Sequence, residues 1–147
     1  MNAADFFSTD DREKIVRAIH EAESKTSGEI RVHVEMSFKG DLLDRAATVF
    51  ARLGMHKTEL RNGVLFYLAI RKKQFAVLGD AGINRLVHPN FWDEIKSVME
   101  FHFGKAEFAE GLSQGILKAG EQLKKHFPHK ATDVDELSDE ISFGQDE

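Results

Sequence analysis

The pattern of apolar positions changes from helical to strand-like within residues 8–36. Residues 8–11 are polar, contain two acids and mark a helix start. Four apolar residues then recur along one face of the predicted helix: Ile15, Val16, Ile19 and Ala22. From residue 29 to residue 36 apolar and polar residues alternate, which predicts a strand with one buried and one wetter face. The wetter face carries Arg31, His33 and Glu35.

A second helix and two further strands are predicted in the middle of the chain. The helix begins at Gly40-Asp41 and ends at Gly54. Its apolar residues are Leu43, Ala46, Ala47, Phe50 and Leu53. Residues 64–70 are apolar throughout, which is typical of a strand covered on both faces. Residues 75–78 form the next strand, and the basic link at residues 71–74 is so short that the pair must be antiparallel.

Two more helices are predicted before residue 130. The third helix begins at Pro89-Asn90, and its inward side chains are Trp92, Ile95, Val98, Met99 and His102. The fourth helix ends before Pro128, and its apolar face consists of Leu112, Ile116, Ala119 and Leu123. Gly111 and Gly115 lie one turn apart, which would let this helix approach a neighbour closely.

The order of elements, α-β-α-β-β-α-α, predicts which residues share an edge of the sheet. The crossover between the first two strands should be right-handed and parallel, and the hairpin adds an antiparallel strand. The starts of the first two strands and the end of the third therefore meet at one edge. Glu29, Asn62 and Asp80 occupy these three positions, so we expect oxygen-bearing side chains to converge there.

Composition narrows the class of protein. The 147 residues contain no cysteine, which excludes disulfides, thiolate metal sites and cysteine nucleophiles. Residues 1–11 do not have the pattern of a secretory leader, and no apolar run reaches the length of a membrane span. We therefore expect a cytoplasmic protein that does not engage a membrane.

The net charge of −5 comes from the C-terminal tail, residues 131–147. This tail has seven acids and no lysine or arginine, which leaves 18 acids against 20 basic residues in residues 1–130. We predict one domain at residues 1–130 followed by a separate acidic tail. No basic stripe with interleaved aromatics is present, so nucleic acid is not an expected partner.

Three segments carry a family resemblance. Gly28-Glu29-Ile30 opens the first strand, Asn62-Gly63-Val64-Leu65 opens the second, and residues 108–115 match an aromatic-x-x-Gly-Leu-x-x-Gly pattern. Together they make residues 12–120 resemble a TPM domain. The resemblance implies a three-layer α/β/α sandwich with a small mixed sheet, a parallel pair plus an antiparallel hairpin. It also implies binding of divalent cations, notably calcium, and one family member is described as an acid phosphatase.

Two departures from the family pattern concern the cation site. The family usually has an acid directly before Asn-Gly, where this chain has Arg61. Residues 79–84, which follow the third strand, also differ from the family's segment at that place. Glu29 and Asn62 are the matching positions, and Asp80 is a carboxylate that appears after the third strand. The acidic site is either relocated or weakened. Typical members also carry a signal peptide and a membrane helix, so the chain resembles a short cytoplasmic branch of the family.

We interpret Glu29, Asn62 and Asp80 as candidate ligands of Ca²⁺ or Mg²⁺, because such hard cations take several oxygen ligands. On this interpretation the protein is a binding or regulatory module. A purely structural explanation is also open. In that case Asn62-Gly63 only forms a turn, Asp80 caps the next segment, and Glu29 is a solvated residue at the end of a strand.

The rival function is a metal-assisted acid phosphatase acting on small phosphoesters. Such chemistry needs a nucleophile or metal-bound water, and cations that stabilise the phosphoryl oxygens. Arg61 could clamp a phosphate in a bidentate way, and Arg85 and His88, on the loop after Asp80, could assist. The alternative is that all three are ordinary surface or loop residues. The pattern assigns no catalytic nucleophile, so whether the protein is an enzyme stays open.

The acidic tail contains three large apolar residues: Leu137, Ile141 and Phe143. We expect residues 134–143 to dock partly on the body through these side chains. The alternative is a disordered tail whose three apolar residues form a recognition motif for a protein partner.

Overall fold

The computed structural model describes residues 2–130, 137 and 139–144. The helices in these residues are α1 (Thr9–Glu23), α2 (Leu42–Arg52), α3 (Ala81–Asn84), α4 (Asp93–Phe103) and α5 (Phe108–Leu123). The strands are β1 (Glu29–Glu35), β2 (Gly63–Ala69), β3 (Gln74–Gly79) and β4 (Ser142–Phe143). Two 3₁₀ turns, Ala3–Asp5 and Met55–Lys57, complete the regular structure of the described residues.

The strands form one sheet with the order β3-β2-β1-β4. β1 and β2 are parallel, with Glu29 opposite Gly63 and Glu35 opposite Ala69. β2 and β3 form the antiparallel hairpin. The predicted mixed sheet is therefore confirmed. The fourth strand was not predicted, because β4 has only two residues and lies inside the acidic tail, where no alternation of apolar residues is long enough to indicate it.

Helices cover both faces of the sheet, which confirms the predicted α/β fold. One face packs against α1, α4 and α5, and its sheet residues are Ile30, Val32, Val34, Val64, Phe66, Leu68 and Val77. The other face packs against α2 and the turn Met55–Lys57, and its sheet residues are Leu65, Tyr67, Ala69 and Ala76. Alternate residues of β2 enter different cores, which explains why this strand is apolar throughout.

The buried face of α2 matches the predicted one only in part. Ala46, Phe50 and Leu53 pack against the sheet, whereas Leu43 and Ala47 are exposed. Leu43 is 58% exposed, and the residues that enter the core are Ala46 and Val49. Asp41 caps the helix by accepting a hydrogen bond from the Asp44 N–H. Packing against the sheet decides which apolar residues of this helix are buried. Similarly, α4 begins at Asp93, later than the Pro89-Asn90 start that we predicted.

The contact between α4 and α5 depends on the two predicted glycines. A Cβ atom added at Gly115 would lie 2.6 Å from Met99 Cγ, and one added at Gly111 would lie 2.5 Å from Phe103 Cε1. Both distances are too short for carbon atoms, so a larger residue at either position would force the side chain of Met99 or Phe103 to move. In the described part of the chain, no helix is long and apolar enough to cross a membrane.

The described residues of the tail contact the body. Ile141 and Phe143 pack against the main core, and Leu137 packs against the α2 side. Ser142–Phe143 pairs with β1, and the Gly144 N–H donates to Val34 O at 2.9 Å. The rest of the predicted docking segment, residues 134–136 and 138, lies outside the described residues. The domain boundary at residue 130 stays a prediction.

Removing residues 131–147 should lower the thermal midpoint of unfolding by a few degrees. A large apolar side chain contributes about 1.5–3 kcal/mol when fully buried, whereas ordering one backbone residue costs about 1–2 kcal/mol. Three partly buried anchors therefore offset only part of the cost, and the docking should be marginal. We would measure the midpoint and the binding of a hydrophobic dye, which should increase because the truncation exposes an apolar groove.

The matched control is Phe143→Ala in the full chain, which removes one anchor and should lower the midpoint less than the truncation. Amide exchange at residues 141–144 as fast as in a random coil would contradict the prediction. The three apolar side chains would then be better explained as a recognition motif for a protein partner.

Candidate functional site

Glu29, Asn62 and Asp80 lie side by side where β1 and β2 begin and β3 ends; we call this region the amino edge. The Glu29 N–H donates to Asn62 O at 3.2 Å, and the Asp80 N–H donates to Gly63 O at 3.0 Å. Since Glu29 also lies opposite Gly63 in the parallel pair, the backbone holds all three residues together. The three residues therefore share the edge of the sheet that the order of elements predicted.

The three side chains at the amino edge are almost removed from solvent. Glu29 is 3% exposed, Asn62 is 1% exposed and Asp80 is 7% exposed. Glu29 is therefore not the solvated strand end of the structural alternative. Asp80, in contrast, does cap the following helix, because its Oδ1 accepts a hydrogen bond of 2.7 Å from the Ala81 N–H.

Arg61 neutralises Asp80 through two parallel hydrogen bonds. Arg61 Nε donates to Asp80 Oδ2 at 2.8 Å, and Arg61 Nη2 donates to Asp80 Oδ1 at 2.9 Å. Burial opposes the charged form of Asp80, but the hydrogen bonds from Arg61 and Ala81 outweigh it and hold the Asp80 pKa below its usual range. Arg61 has a positive φ of 53°, which costs a non-glycine residue about 1–3 kcal/mol. The loop thus adopts a strained backbone at the residue that makes this ion pair.

The chemistry of this edge suits a hard cation, but the present arrangement does not leave Asp80 available. Carboxylate and amide oxygens are the ligands that Ca²⁺ and Mg²⁺ prefer. Both Asp80 oxygens already accept hydrogen bonds from Arg61, and Asn62 Nδ2 donates to Ser27 O at 3.3 Å. In residues 2–130, 137 and 139–144, no group of three or more His, Cys, Asp or Glu is arranged to hold a metal ion. Arg61 therefore occupies both oxygens of the Asp80 carboxylate.

The three residues proposed for phosphate have separate partners. The fork of Arg61 is filled by Asp80. Arg85 is exposed, and its Nε donates to Ala81 O at 3.4 Å. His88 Nδ1 accepts from the Asn90 N–H at 3.1 Å, and its ring lines a cavity of about 300 Å³ beside α4 and α5. Arg61 and His88 therefore contact different residues, and the structure does not bring them into one group.

A half-buried acid next to the amino edge, Glu23, was missed by the sequence analysis. Glu23, in the last turn of α1, accepts a hydrogen bond of 2.9 Å from the Ile30 N–H and contacts the Asp139 carboxyl group. Burial and the contact with Asp139 raise the pKa of Glu23 to about 10, and the nearby Glu29 adds to the effect. Glu23 is therefore protonated at neutral pH and can donate to Asp139. Glu23 and Asp139 are far apart in sequence, so no local signal indicated the pair.

A second charged group lies at the opposite end of β1; we call Glu35, Arg45, Tyr67 and His33 the Glu35 cluster. Arg45 Nε and Nη2 each donate to Glu35 at 2.8 Å, the Tyr67 hydroxyl donates to Glu35 Oε2, and His33 Nε2 lies 3.3 Å from Glu35 Oε1. His33 Nδ1 lies 2.9 Å from Ser142 Oγ on β4. The cluster thus joins α2 to three of the four strands.

The Glu35 cluster corrects our prediction of a wetter strand face. Glu35 is 2% exposed and His33 is 7% exposed, because α2 and β4 cover this side of β1. Burial alone would raise the pKa of Glu35, but the hydrogen bonds from Arg45, His33 and Tyr67 hold it well below its usual range. Glu35 stays charged and fully bonded, so it is not suited to act as a base. The sequence did contain one indication of this cluster. Tyr67 lies within an apolar strand, and a buried tyrosine hydroxyl needs a polar partner.

The sequence profile of the TPM domain matches residues 1–122. The chain therefore belongs to the TPM-domain family, which confirms the resemblance stated above. No match was found among curated proteins.

Solved structures of three bacterial proteins are similar to this chain. The NMR structure of the BA42 protein from the psychrophilic bacterium Bizionia argentinensis is 46% identical in sequence, with a TM-score of 0.91 over 95% of this chain and 97% of that one. The N-terminal domain of a protein from P. gingivalis is 21% identical, with a TM-score of 0.71 over 86% of this chain and 83% of that one. The N-terminal domain of the cg2496 protein from Corynebacterium glutamicum is 15% identical, with a TM-score of 0.64 over 96% and 82%. The last two similarities concern the fold alone.

We expect the free energy of unfolding to fall as the pH rises from the ordinary pKa of Glu23, 4.5, to its folded pKa of about 10. Its pKa is about 10 in the folded chain against an ordinary value of 4.5, so the folded chain holds a proton that the unfolded chain releases. This contribution is complete below the ordinary pKa and is lost as the pH rises through the folded pKa. Glu23→Gln should flatten the pH dependence, since an amide can still accept from Ile30 and donate to Asp139.

The measurement is urea unfolding at several pH values from about 5 to about 9. Glu21→Gln is the matched control, because Glu21 is an exposed acid on the same helix. Equal slopes against pH for the wild-type chain and Glu23→Gln would contradict the assignment.

Proposed function

We propose that this TPM-domain chain is a divalent-cation-binding module, with Glu29, Asn62 and Asp80 as its protein ligands. The observation that supports the proposal is the backbone pairing that holds these three buried, oxygen-bearing residues at one edge of the sheet. Ca²⁺ or Mg²⁺ is the expected cation, because all three side chains offer hard oxygen atoms. A cytoplasmic location remains part of the proposal, in keeping with the absence of cysteine.

Arg61 acts in this proposal as an internal competitor of the cation. Its guanidinium neutralises Asp80, so cation binding is an exchange in which Arg61 leaves and the metal ion takes over the carboxylate. Arg61 is 48% exposed at its side chain, which allows it to swing into solvent without unfolding the loop. The exchange weakens binding, because the favourable Arg61–Asp80 pair is lost at the same step. A bound cation would supply positive charge that links β1, β2 and the start of α3.

One observation favours metal-assisted phosphoester hydrolysis as a second candidate function. The guanidinium that a cation would displace is partly exposed, and its fork matches the geometry of a phosphate. A phosphate bound by the released Arg61 would lie close to the cation. One feature speaks against this candidate. The family resemblance implies an acid directly before Asn62, and this chain has Arg61 at that position.

Ca²⁺ or Mg²⁺ should raise the thermal midpoint of unfolding, because a ligand that binds only the folded state stabilises it by mass action. Asp80→Asn should remove most of the cation-induced shift by deleting a charged ligand. Arg61→Gln should increase the shift, since the internal competitor is gone. Scanning fluorimetry with and without each cation, and with a chelator added back, measures all three.

Asp41→Asn is the matched control for Asp80→Asn. Asp41 also caps a helix, but it lies at the start of α2, and asparagine caps about as well as aspartate. This variant should show the full cation-induced shift. An undiminished shift in Asp80→Asn would show that the cation binds elsewhere.

A chromogenic phosphomonoester should be hydrolysed weakly or not at all at mildly acidic pH, with or without added cation. Arg61 is paired with Asp80, and no nucleophile with the required surroundings is present at the amino edge among the described residues. Robust metal-dependent hydrolysis that disappears in Arg61→Ala, but persists in the control Arg85→Ala, would favour the phosphatase instead.

A further inference from the structure

β3 is an edge strand of the sheet, and two of its residues have backbone groups without partners. The Asp80 N–H donates to Gly63 O, and the residues of β3 at even positions point toward β2 in the same way, because the direction alternates along an antiparallel pair. The N–H and C=O groups of Phe75 and Val77 therefore point away from the sheet. Among the described residues, these four groups have no hydrogen-bond partner. An edge of this kind can pair with a further extended strand.

α4 runs alongside β3 in the opposite direction. Trp92, directly before the helix, packs on Gly79 at the end of the strand, where an added Cβ atom would lie 2.3 Å from Trp92 Cζ2. At the other end of the strand, the Phe103 ring lies 5.0 Å from the Phe75 ring, with the two ring planes perpendicular. Asn84 Nδ2 donates to Gly79 O at 2.8 Å, so this contact closes the edge at its Gly79 end.

A cavity of about 560 Å³ lies between the first residues of β3 and the last turn of α4. The large apolar residues that line it are Leu68, Phe75, Phe103 and Phe108. It has room for one large apolar side chain, since drug-sized ligands occupy pockets of roughly 300–1,000 Å³. Directly opposite residues of an antiparallel pair have their side chains on the same face of the sheet. A residue that pairs with Phe75 across the edge would therefore direct its side chain toward this cavity.

The hairpin turn, residues 70–73, gives this end of the edge a net positive charge. Arg71 and Lys73 are exposed, and neither forms an ion pair within the described residues. Glu100 is the acid that lines the cavity, and it belongs to the α4 side. Two positive charges thus face one negative charge. An acidic residue of a bound chain would complement the charge of the turn.

We propose that the β3 edge binds an extended peptide segment of a protein partner, which pairs with Phe75 and Val77 as an added strand. The segment bonds to the four free backbone groups, inserts a large apolar side chain into the cavity, and carries an acid beside the hairpin turn. In strand addition, the main-chain hydrogen bonds supply affinity and the side-chain pockets supply specificity. An antiparallel segment is favoured, since parallel pairing is slightly less stable per residue. This site does not rest on the proposed cation binding.

The test is a titration of the ¹⁵N-labelled full chain with the synthetic peptide acetyl-Ser-Val-Thr-Phe-Thr-Asp-Glu-amide, followed by two-dimensional NMR. In the antiparallel arrangement the Val of the peptide lies opposite Val77, its Phe lies opposite Phe75, and its acids reach the hairpin turn. The backbone amides of Phe75 and Val77 should show saturable shifts. Their exchange with solvent should also slow, because both N–H groups become donors to the peptide.

Altered peptides separate the parts of the site. Methylation of the backbone nitrogen of the peptide's Phe removes the N–H that donates to Phe75 O, and should weaken binding about fivefold or more. Methylation of the Thr nitrogen directly before this Phe is the matched control, because that N–H points away from the sheet and should leave the affinity unchanged. Replacing the Phe by Ala leaves the cavity empty and should weaken binding about tenfold or more.

Lys73→Gln should weaken binding of the peptide about threefold, because it removes a charge next to the peptide's acids. Lys57→Gln is the matched control, an exposed lysine outside the hairpin turn, and should bind the peptide as the wild-type chain does.

The proposal is overturned if the peptide gives no saturable shifts at Phe75 and Val77. It is also overturned if the Phe-methylated peptide, the Ala peptide or the Lys73→Gln chain binds as tightly as its parent. Self-association of the free chain that shifts the same two amides would assign this edge to a second copy of the chain, and would likewise overturn the proposal.

Discussion

The parallel pairing of β1 with β2 is the constraint on which both ends of the molecule depend. Its register sets Glu29 opposite Gly63 at one end and Glu35 opposite Ala69 at the other. A shift by one residue would move every side chain of β1 to the other face of the sheet. Glu29 would then leave the amino edge, and Glu35 would leave Arg45. The hydrophobic contacts of Val32 and Val34 with the main core hold the register.

Two buried acids, Glu35 and Asp80, and the half-buried Glu23 are accommodated in three different ways, and each way has a different consequence. An ion leaves water at a cost of several kcal/mol, so each buried acid must be paired or neutral. Glu35 is paired with the partly buried Arg45 and belongs to a rigid network. Asp80 is paired with the more exposed Arg61, which makes the pair exchangeable. Glu23 keeps its proton, so its contact with Asp139 responds to pH.

The tail connects these regions. Asp139 contacts Glu23 and also pairs with His20 at 2.8 Å, and Ser142 contacts His33 of the Glu35 cluster. Because β4 has only two residues, it forms few backbone hydrogen bonds, and side-chain contacts supply the rest of its attachment. The acidic composition that separates residues 131–147 from the body in sequence therefore does not separate their described residues from it in space.

Local patterns in the sequence by themselves determined the order of elements, the hairpin and the edge at which Glu29, Asn62 and Asp80 meet. These features follow from the period of the apolar residues and the length of connections, which are local properties of the chain. The tertiary structure decided what each polar residue contacts. Arg61 could be assigned to a phosphate or to solvent until the fold placed Asp80 against it, and His33 and Glu35 looked exposed until α2 and β4 covered them. Such pairings join residues distant in sequence, and a single sequence carries no pattern for them.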